Sequence, residues 1–172
     1  MTISNKLTIL RIIMVPVFVA LMMLDLKIAA TVVFVVASFT DMLDGYLARK
    51  RNEITTFGKF LDPIADKILV VSALACLMEI SVIPAWTVII VIAREFIVSG
   101  LRMAAASQNV VIAADGFGKI KTITQMVAIT MLLLGFGSVF GLIAQILYYA
   151  SVILTFLSGA SYIIKYKDVL MK

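Results

Sequence analysis

"FTDMLDGYLARKRNEITTFGKFLDPIADKILV", residues 39–70, places four aspartates in a chain whose composition is otherwise that of a membrane protein. Asp41, Asp44, Asp62 and Asp66 lie within or beside apolar runs, where an unpaired carboxylate is costly. Of the 172 residues, 63% are hydrophobic and 15% are charged, and the mean hydropathy is +1.13. This composition predicts an all-α integral membrane protein, and the length predicts a single domain over residues 1–172.

The residue types that the chain lacks exclude several kinds of chemistry. It contains no histidine, which excludes histidine-based catalytic triads, histidine-bound zinc and imidazole-bound haem. Its single cysteine, Cys76, lies in an apolar segment and is expected to pack in the interior. Any metal must therefore be held by oxygen ligands, which favours Mg2+ or Mn2+. The net charge of +5 is interpreted as a topology signal, and no nucleic-acid partner is expected.

Six apolar stretches of about 20 residues are long enough to cross the hydrocarbon core of a bilayer as helices. Gly135, Gly137 and Gly141 are expected to mark the break between the last two of them. We predict six transmembrane helices at residues 4–24, 28–49, 57–79, 84–105, 118–138 and 141–165.

The basic residues predict the orientation of these helices. They lie at the start of the chain, in the turn after the second helix, around the fourth connection and at the end, whereas the opposite connections contain only Lys27. The positive-inside rule then places both termini and the Arg49–Arg51 turn in the cytoplasm. The first apolar run lacks the basic region and cleavage site of a signal peptide, so it is expected to be a retained helix.

The spacing of the four aspartates predicts that they converge. Asp41 and Asp44 are three positions apart, and Asp62 and Asp66 are four apart, so each pair shares one face of its helix. A short basic turn makes the two helices antiparallel neighbours, which brings both pairs into a polar cavity open to the cytoplasm. Two divalent cations bridged by the carboxylates would relieve their repulsion, and two-metal sites suit phosphoryl transfer.

Other interpretations of this segment stay open from the residues alone. The carboxylates could pair with neighbouring lysines or serve a cation-coupled carrier, although their confinement to one third of the chain disfavours a carrier with an inverted repeat. Gly45, Ala48 and Gly58 leave room for a bulky group, or they allow close helix packing. Arg49 at the cytoplasmic rim could hold a diphosphate, or it could be a topology signal alone.

Together these residues form a pattern that resembles the signature of the CDP-alcohol phosphotransferase family. The pattern is Asp41-x2-Asp44-Gly45-x2-Ala48-Arg49, then Gly58-x3-Asp62-x3-Asp66, and every position is filled. Six predicted helices agree with the architecture of that family. Four further segments resemble members that use glycerol 3-phosphate as acceptor: NKLTILR (5–11), GKFLDPIADK (58–67), AREFIVSGLR (93–102) and GKIKTITQ (118–125).

The resemblance implies two Mg2+ or Mn2+ ions as cofactors and a role for each residue of the pattern. Asp41 and Asp62 would contact both ions. Asp44 would contact the first ion, and Asp66 would contact the second and act as the general base toward the acceptor hydroxyl. The other residues would bind the CDP part of the donor or provide clearance for it: Asn5, Thr8, Gly45, Arg49 and Thr55 by binding, and Ala48 and Gly58 by their small size.

The resemblance also implies the reaction. A homodimeric enzyme in the bacterial cytoplasmic membrane would transfer the phosphatidyl group of CDP-diacylglycerol to glycerol 3-phosphate and release CMP. The dianionic phosphate of this acceptor requires a cationic pocket, whereas serine does not; a sibling enzyme that uses serine or inositol phosphate is the alternative. The candidate pocket residues are Arg94, Arg102, Lys119 and Lys121, with Gln125 assisting. Pairing with Glu95 is the alternative for Arg94, whereas topology signalling is the alternative for Arg102, Lys119 and Lys121, for which phosphate binding is favoured.

Overall fold

The computed structural model describes the backbone of residues 3–51, 56–107, 116–135 and 137–170. Side chains are described for residues 7–40, 64–65, 67–105, 118, 120–135, 137 and 139–166. Within these ranges the chain forms six α-helices: α1 (Ile3–Met23), α2 (Lys27–Arg51), α3 (Thr56–Glu79), α4 (Ala85–Ser107), α5 (Gly116–Leu134) and α6 (Ser138–Leu170). The prediction of an all-α chain with six helices is confirmed.

The break between α5 and α6 lies earlier in the chain than the apolar pattern predicts. Helix α5 ends at Leu134 because Gly135 follows it with φ +61°, a backbone conformation that glycine adopts without strain. Helix α6 begins at Ser138, and the Gly141 amide donates to the Gly137 carbonyl oxygen at 3.0 Å. The expectation that Gly141 marks this break is therefore wrong, since that residue lies within α6.

Helices α1 and α3 end in the same hydrogen-bonded motif, without a glycine. Asp25 and Ser81 each have φ 58°. The amide one residue further on reaches back five residues, from Leu26 to the Leu21 carbonyl and from Val82 to the Leu77 carbonyl, at 2.9 Å in both cases. This is the Schellman arrangement, which satisfies carbonyls that a helix end otherwise leaves without partners.

Contacts divide the chain into two compact units. The first comprises Met1–Val82 with Leu133–Gly135, and therefore contains α1, α2 and α3. The second comprises Ile83–Leu132 with Phe136–Lys172, and contains α4, α6 and most of α5.

Helix α1 packs against both α2 and α3 in the first unit. Its buried face repeats every three or four residues, as expected for one face of a helix. Phe18 on this face packs near Phe34 of α2, with the two ring centres 6.0 Å apart. Fully buried alanines on α2 and α3 allow the helix backbones to approach closely. The buried residues of α1 are Thr8, Arg11, Val15, Phe18 and Met22.

Helices α4 and α6 run parallel in the second unit, as shown by their side-chain contacts, which follow the same order along both helices. Tyr148 donates to Thr87 near the start of α4, Arg94 donates to Ser158 in the middle, and Arg102 donates to Tyr162 towards the end. The face of α6 towards α4 carries small and hydroxylated residues at a helical spacing. Those buried are Ala144, Tyr148, Ser151, Thr155, Ser158 and Tyr162.

The outward faces of the described helices are apolar. Ile13, Ile89 and Phe156 are each more than half exposed, and many other large hydrophobic side chains are exposed with them. A water-soluble protein rarely exposes so large an apolar surface, whereas lipid-facing helices do so as a rule. In the part of the chain that the structure describes, Val139–Tyr166 is the one segment long and apolar enough to span a bilayer, and shorter apolar helices cover Leu7–Met23, Lys27–Thr40 and Ile120–Leu134.

We expect Tyr148→Phe to lower the free energy of unfolding by about 1 kcal/mol, because the buried Tyr148 hydroxyl donates to Thr87 Oγ1 at 2.8 Å. Unfolding in mixed detergent micelles, followed by circular dichroism, measures the change. The control is Tyr149→Phe, which alters an exposed neighbour and should have little effect. Equal losses for the two variants would contradict the assignment.

Candidate active site

The two aspartate pairs lie on helical backbone in α2 and α3, and the convergence of their carboxylates stays a prediction. Asp41 and Asp44 belong to the C-terminal half of α2, and Asp62 and Asp66 to the N-terminal half of α3. Among the described side chains, no three of the types that commonly bind metals lie together. For several predicted site residues the structure describes the helical backbone but not the side chain: Asn5, Asp41, Asp44, Gly45, Ala48, Arg49, Gly58, Asp62, Asp66 and Lys119. Thr55 lies outside the described residues altogether.

The contact between α1 and α2 fixes which residues of the two helices lie at the same level. The turn between them spans three residues, so the helices are antiparallel, and Phe18 faces Phe34. Two turns towards the start of α1 from Phe18 is Arg11, and two turns towards the end of α2 from Phe34 is Asp41. Positions 11 and 41 are therefore level with each other along the bundle, and the same counting pairs positions 8 and 44.

Arg11 is a residue that sequence reasoning interpreted only as an orientation signal. Its side chain is fully buried, and Thr8, one turn earlier, is almost as buried. A sequence signal was available, because Arg11 continues the helical spacing of Val15 and Phe18 on the packed face of α1. Its positive charge has the sign required to compensate carboxylates at the level of the α2 aspartate positions.

A buried polar network connects the three helices of the second unit. Glu95 Oε1 on α4 accepts from Lys121 Nζ on α5 at 2.5 Å and from Arg94 Nη1 at 3.2 Å. Arg94 Nη2 donates to Ser158 Oγ on α6 at 2.8 Å. The Lys121 side chain is 4% exposed and that of Arg94 is 11% exposed, so both charged side chains are buried between the helices of this unit. Glu95 therefore pairs with two cations at once.

Tyr162 joins a third cation to this network. Arg102 Nη2 donates to Tyr162 Oη at 3.0 Å, and the guanidinium carbon of Arg102 lies 5.6 Å from the centre of the ring. The guanidinium carbon of Arg94 lies 5.9 Å from the same ring centre. Guanidinium groups at these distances are attracted to the electron-rich ring face. One tyrosine thus links the two arginines, which lie about two turns apart on α4.

Two buried N–H groups of this region have no hydrogen-bond acceptor among the described residues: Arg94 Nε and Gln125 Nε2. Gln125 is 3% exposed and lies one turn after Lys121 on α5. Buried donors nearly always have an acceptor in folded proteins. Donors of this kind, added to three neighbouring cations, suit a ligand with several negatively charged oxygens.

Sequence reasoning grouped most of this network and missed its α6 side. The structure brings together three of the four residues predicted for the acceptor pocket, Arg94, Arg102 and Lys121. Pairing with Glu95 and membership of the cationic cluster are not alternatives, because Arg94 and Lys121 do both. Ser158 and Tyr162 were not predicted. Their signal is the run of hydroxylated residues at helical spacing along α6, which resembles ordinary close packing of membrane helices.

The fold and this network define a class of protein: an all-α membrane protein with a buried cationic site. Comparison with known families assigns the class more closely, since the family described as CDP-alcohol phosphatidyltransferase matches residues 1–157. The chain belongs to this family, which is a family of integral membrane proteins.

Relatives with similar sequences cover almost the whole chain. A protein of Bacillus subtilis named CDP-diacylglycerol–glycerol-3-phosphate 3-phosphatidyltransferase is 41% identical, over 94% of this chain and 93% of its own length. A protein of the same name from Haemophilus influenzae is 42% identical, over 91% of this chain and 89% of its own length. A probable phosphatidylglycerophosphate synthase of Mycobacterium tuberculosis is 37% identical, over 93% and 79%.

We expect Glu95→Gln to lower the free energy of unfolding by about 2 kcal/mol, because it leaves the buried Lys121 ammonium and Arg94 guanidinium without their carboxylate. Glu79→Gln, at an exposed position of α3, is the matched control and should have little effect. Unfolding in mixed micelles measures both.

A double-mutant cycle isolates the ion pair itself. Because Lys121→Met removes the charge that Glu95→Gln leaves buried, the double variant should lose less stability than the two single losses combined. Strictly additive losses would show that Glu95 and Lys121 do not interact.

Proposed function

We propose that this chain transfers the phosphatidyl group of CDP-diacylglycerol to glycerol 3-phosphate, giving phosphatidylglycerophosphate and CMP in phosphatidylglycerol synthesis. The names and coverage of its relatives support the reaction. The structural observation that carries the acceptor assignment is the buried network of Arg94, Glu95 and Lys121, in which the described cations outnumber the carboxylate.

Two divalent cations, Mg2+ or Mn2+, are the proposed cofactors. The chain offers carboxylates and no histidine, and four aspartate positions occur on the adjoining helices α2 and α3, so the donor set fits a hard, oxygen-binding metal. When bound, such ions neutralise the charge of a diphosphate. Asp41, Asp44, Asp62 and Asp66 would hold them. Asp66 would also accept the proton of the acceptor hydroxyl, which a carboxylate can do only while ionised.

The remaining residues of the family pattern would hold the donor. Arg49 would neutralise its diphosphate, and Gly45 and Thr55 would contact the nucleotide together with Asn5 and Thr8. Thr8 is almost completely buried on the face of α1 that packs on α2 and α3, where its hydroxyl is shielded from lipid. Ala48 and Gly58 would provide clearance for the bulky donor. The acyl chains would stay in the membrane lipid beside the apolar helix faces.

The phosphate of the acceptor would bind to the cations of the second unit. Arginine presents planar N–H groups that match phosphate oxygens, and both Arg94 and Arg102 would supply them. The Lys121 ammonium and the Gln125 amide would complete the set, with Lys119 as a further candidate. A neutral alcohol or a zwitterion such as serine would leave most of this positive charge uncompensated. An inositol phosphate would satisfy the same cations, which makes it the second candidate acceptor.

We also propose the arrangement in the membrane. All six helices would cross the bacterial cytoplasmic membrane, with both termini and the polar active-site cavity on the cytoplasmic side. The positions of the basic residues support this orientation. Residues 1–172 would form a single domain, and the enzyme would be a homodimer, as expected from the family resemblance.

One assay tests the reaction and the acceptor together. Purified protein in detergent receives CDP-diacylglycerol, Mg2+ or Mn2+, and each candidate acceptor in turn, and CMP release is measured. We expect release with glycerol 3-phosphate and little with serine, because only the first brings a dianionic phosphate to Arg94 and Lys121. Faster release with inositol phosphate would keep the family chemistry and replace the acceptor.

We expect Asp66→Asn to abolish CMP release while binding of CDP-diacylglycerol persists, because an amide cannot accept the proton of the acceptor hydroxyl. Asp25→Asn is the control. Asp25 is an exposed carboxylate at the end of α1 with a positive φ, which asparagine tolerates, so full activity is expected. If Asp66→Asn also loses donor binding, its role is to assemble the metal site rather than to act as the base.

A further inference from the structure

One turn of α6 forms the surface on which the Arg94 side chain rests. Ser158 Oγ accepts from Arg94 Nη2 at 2.8 Å, and the Tyr162 ring centre lies 5.9 Å from the guanidinium carbon. Between them, Gly159 presents bare backbone to the aliphatic part of Arg94. Ser158 and Tyr162 are 3% and 1% exposed, so this surface is closed to solvent.

Gly159 is required for clearance and has no positive φ. A methyl group at this position would lie 3.0 Å from Arg94 Cγ and 3.7 Å from its Cβ. On α5, a methyl group at Gly118 would lie 3.7 Å from Arg94 Nη2, which is an ordinary contact distance. Alanine at 159 would thus displace the Arg94 side chain by a few tenths of an ångström, whereas alanine at 118 would fit.

The contacts of Arg94 specify the direction of its guanidinium group. Nη1 is directed to Glu95 and Nη2 to Ser158, while Nε is the buried donor without an acceptor among the described residues. A guanidinium group has five N–H donors, so one held by two hydrogen bonds still has donors for a ligand, the Nε N–H among them. Holding a long side chain in place before binding also removes most of the entropic cost of ordering it in the complex.

We propose that Ser158 and Gly159 are positioning residues that seat Arg94 so that its guanidinium group meets the phosphate of the acceptor. This inference rests on the proposed function for the identity of the acceptor, but it concerns α6 residues that the family pattern does not include. This turn of α6 would therefore determine the affinity for the phosphate group and would not affect assembly of the donor site.

The first test compares Gly159→Ala with Gly100→Ala. Gly100 is a glycine on α4 at which an added methyl group meets nothing within 4 Å. We expect Gly159→Ala to raise the KM for glycerol 3-phosphate about tenfold, the equivalent of one charge-assisted hydrogen bond, with an unchanged KM for CDP-diacylglycerol. The inhibition constant of inorganic phosphate should rise by the same factor. Gly100→Ala should change none of these values.

The second test compares Ser158→Ala with Ser151→Ala, and it decides the proposal even if Gly159→Ala fails to fold. Both serines are buried on the same face of α6, but the Ser151 hydroxyl donates to the Tyr148 carbonyl of its own helix. We expect inhibition by inorganic phosphate to weaken several-fold for Ser158→Ala alone. A purely structural role would instead lower the amount of active protein and leave both KM values unchanged.

The outcomes separate this proposal from the proposed function. Absence of CMP release by the wild-type protein with glycerol 3-phosphate would refute the function. Calorimetric measurement of inorganic phosphate binding to the purified protein would then test the positioning of Arg94 independently of the reaction. Equal phosphate affinities for the wild-type protein, Gly159→Ala and Ser158→Ala would overturn the proposal whatever the acceptor is.

Discussion

The cost of keeping positive charge inside a helix bundle governs the second unit. Arg94 and Lys121 are both largely shielded from solvent, and an isolated cation in such a place would be strongly destabilising. Glu95 offsets part of this cost because one carboxylate oxygen accepts from both cations. The face of α6 follows from the same constraint, since Ser158 accepts a hydrogen bond from Arg94 Nη2 and the Tyr162 ring lies against the guanidinium group.

The first unit presents the opposite problem, with several carboxylates on neighbouring helices. The described part of this unit contains a buried cation, Arg11, which is fully buried on α1 and level with position 41 of α2. The close packing that buries it depends on small residues such as Ala37 on α2 and Ala65 on α3. In the described parts, each unit therefore combines a buried cation with small residues on a helix that packs against it.

The helices could be predicted from the sequence because the width of a bilayer sets the length of an apolar run. The ends of α1 and α3 agree with the prediction to within one residue, although Asp25 and Ser81 follow them in a left-handed backbone without a glycine. The break between α5 and α6 was misplaced, because Gly141 lies within α6. Within the candidate site, arginine and lysine in apolar surroundings are conspicuous, so the cations were found. Ser158 and Gly159 were not, because serine and glycine in membrane helices usually indicate close packing and their partner is distant in sequence.

Under the proposed function, the charge of the described network would favour a phosphate over a neutral alcohol as its ligand. Arg94, Arg102 and Lys121 provide three positive charges, and Glu95 removes one. The excess of two equals the charge of a phosphate monoester above its second pKa of about 6, with opposite sign. Without Glu95 the described network would hold three mutually repelling cations, and a second carboxylate would weaken its attraction for a dianion. Among the described residues, one carboxylate is shared by two cations, which stabilises the network and, under the proposed function, would preserve its attraction for a dianion.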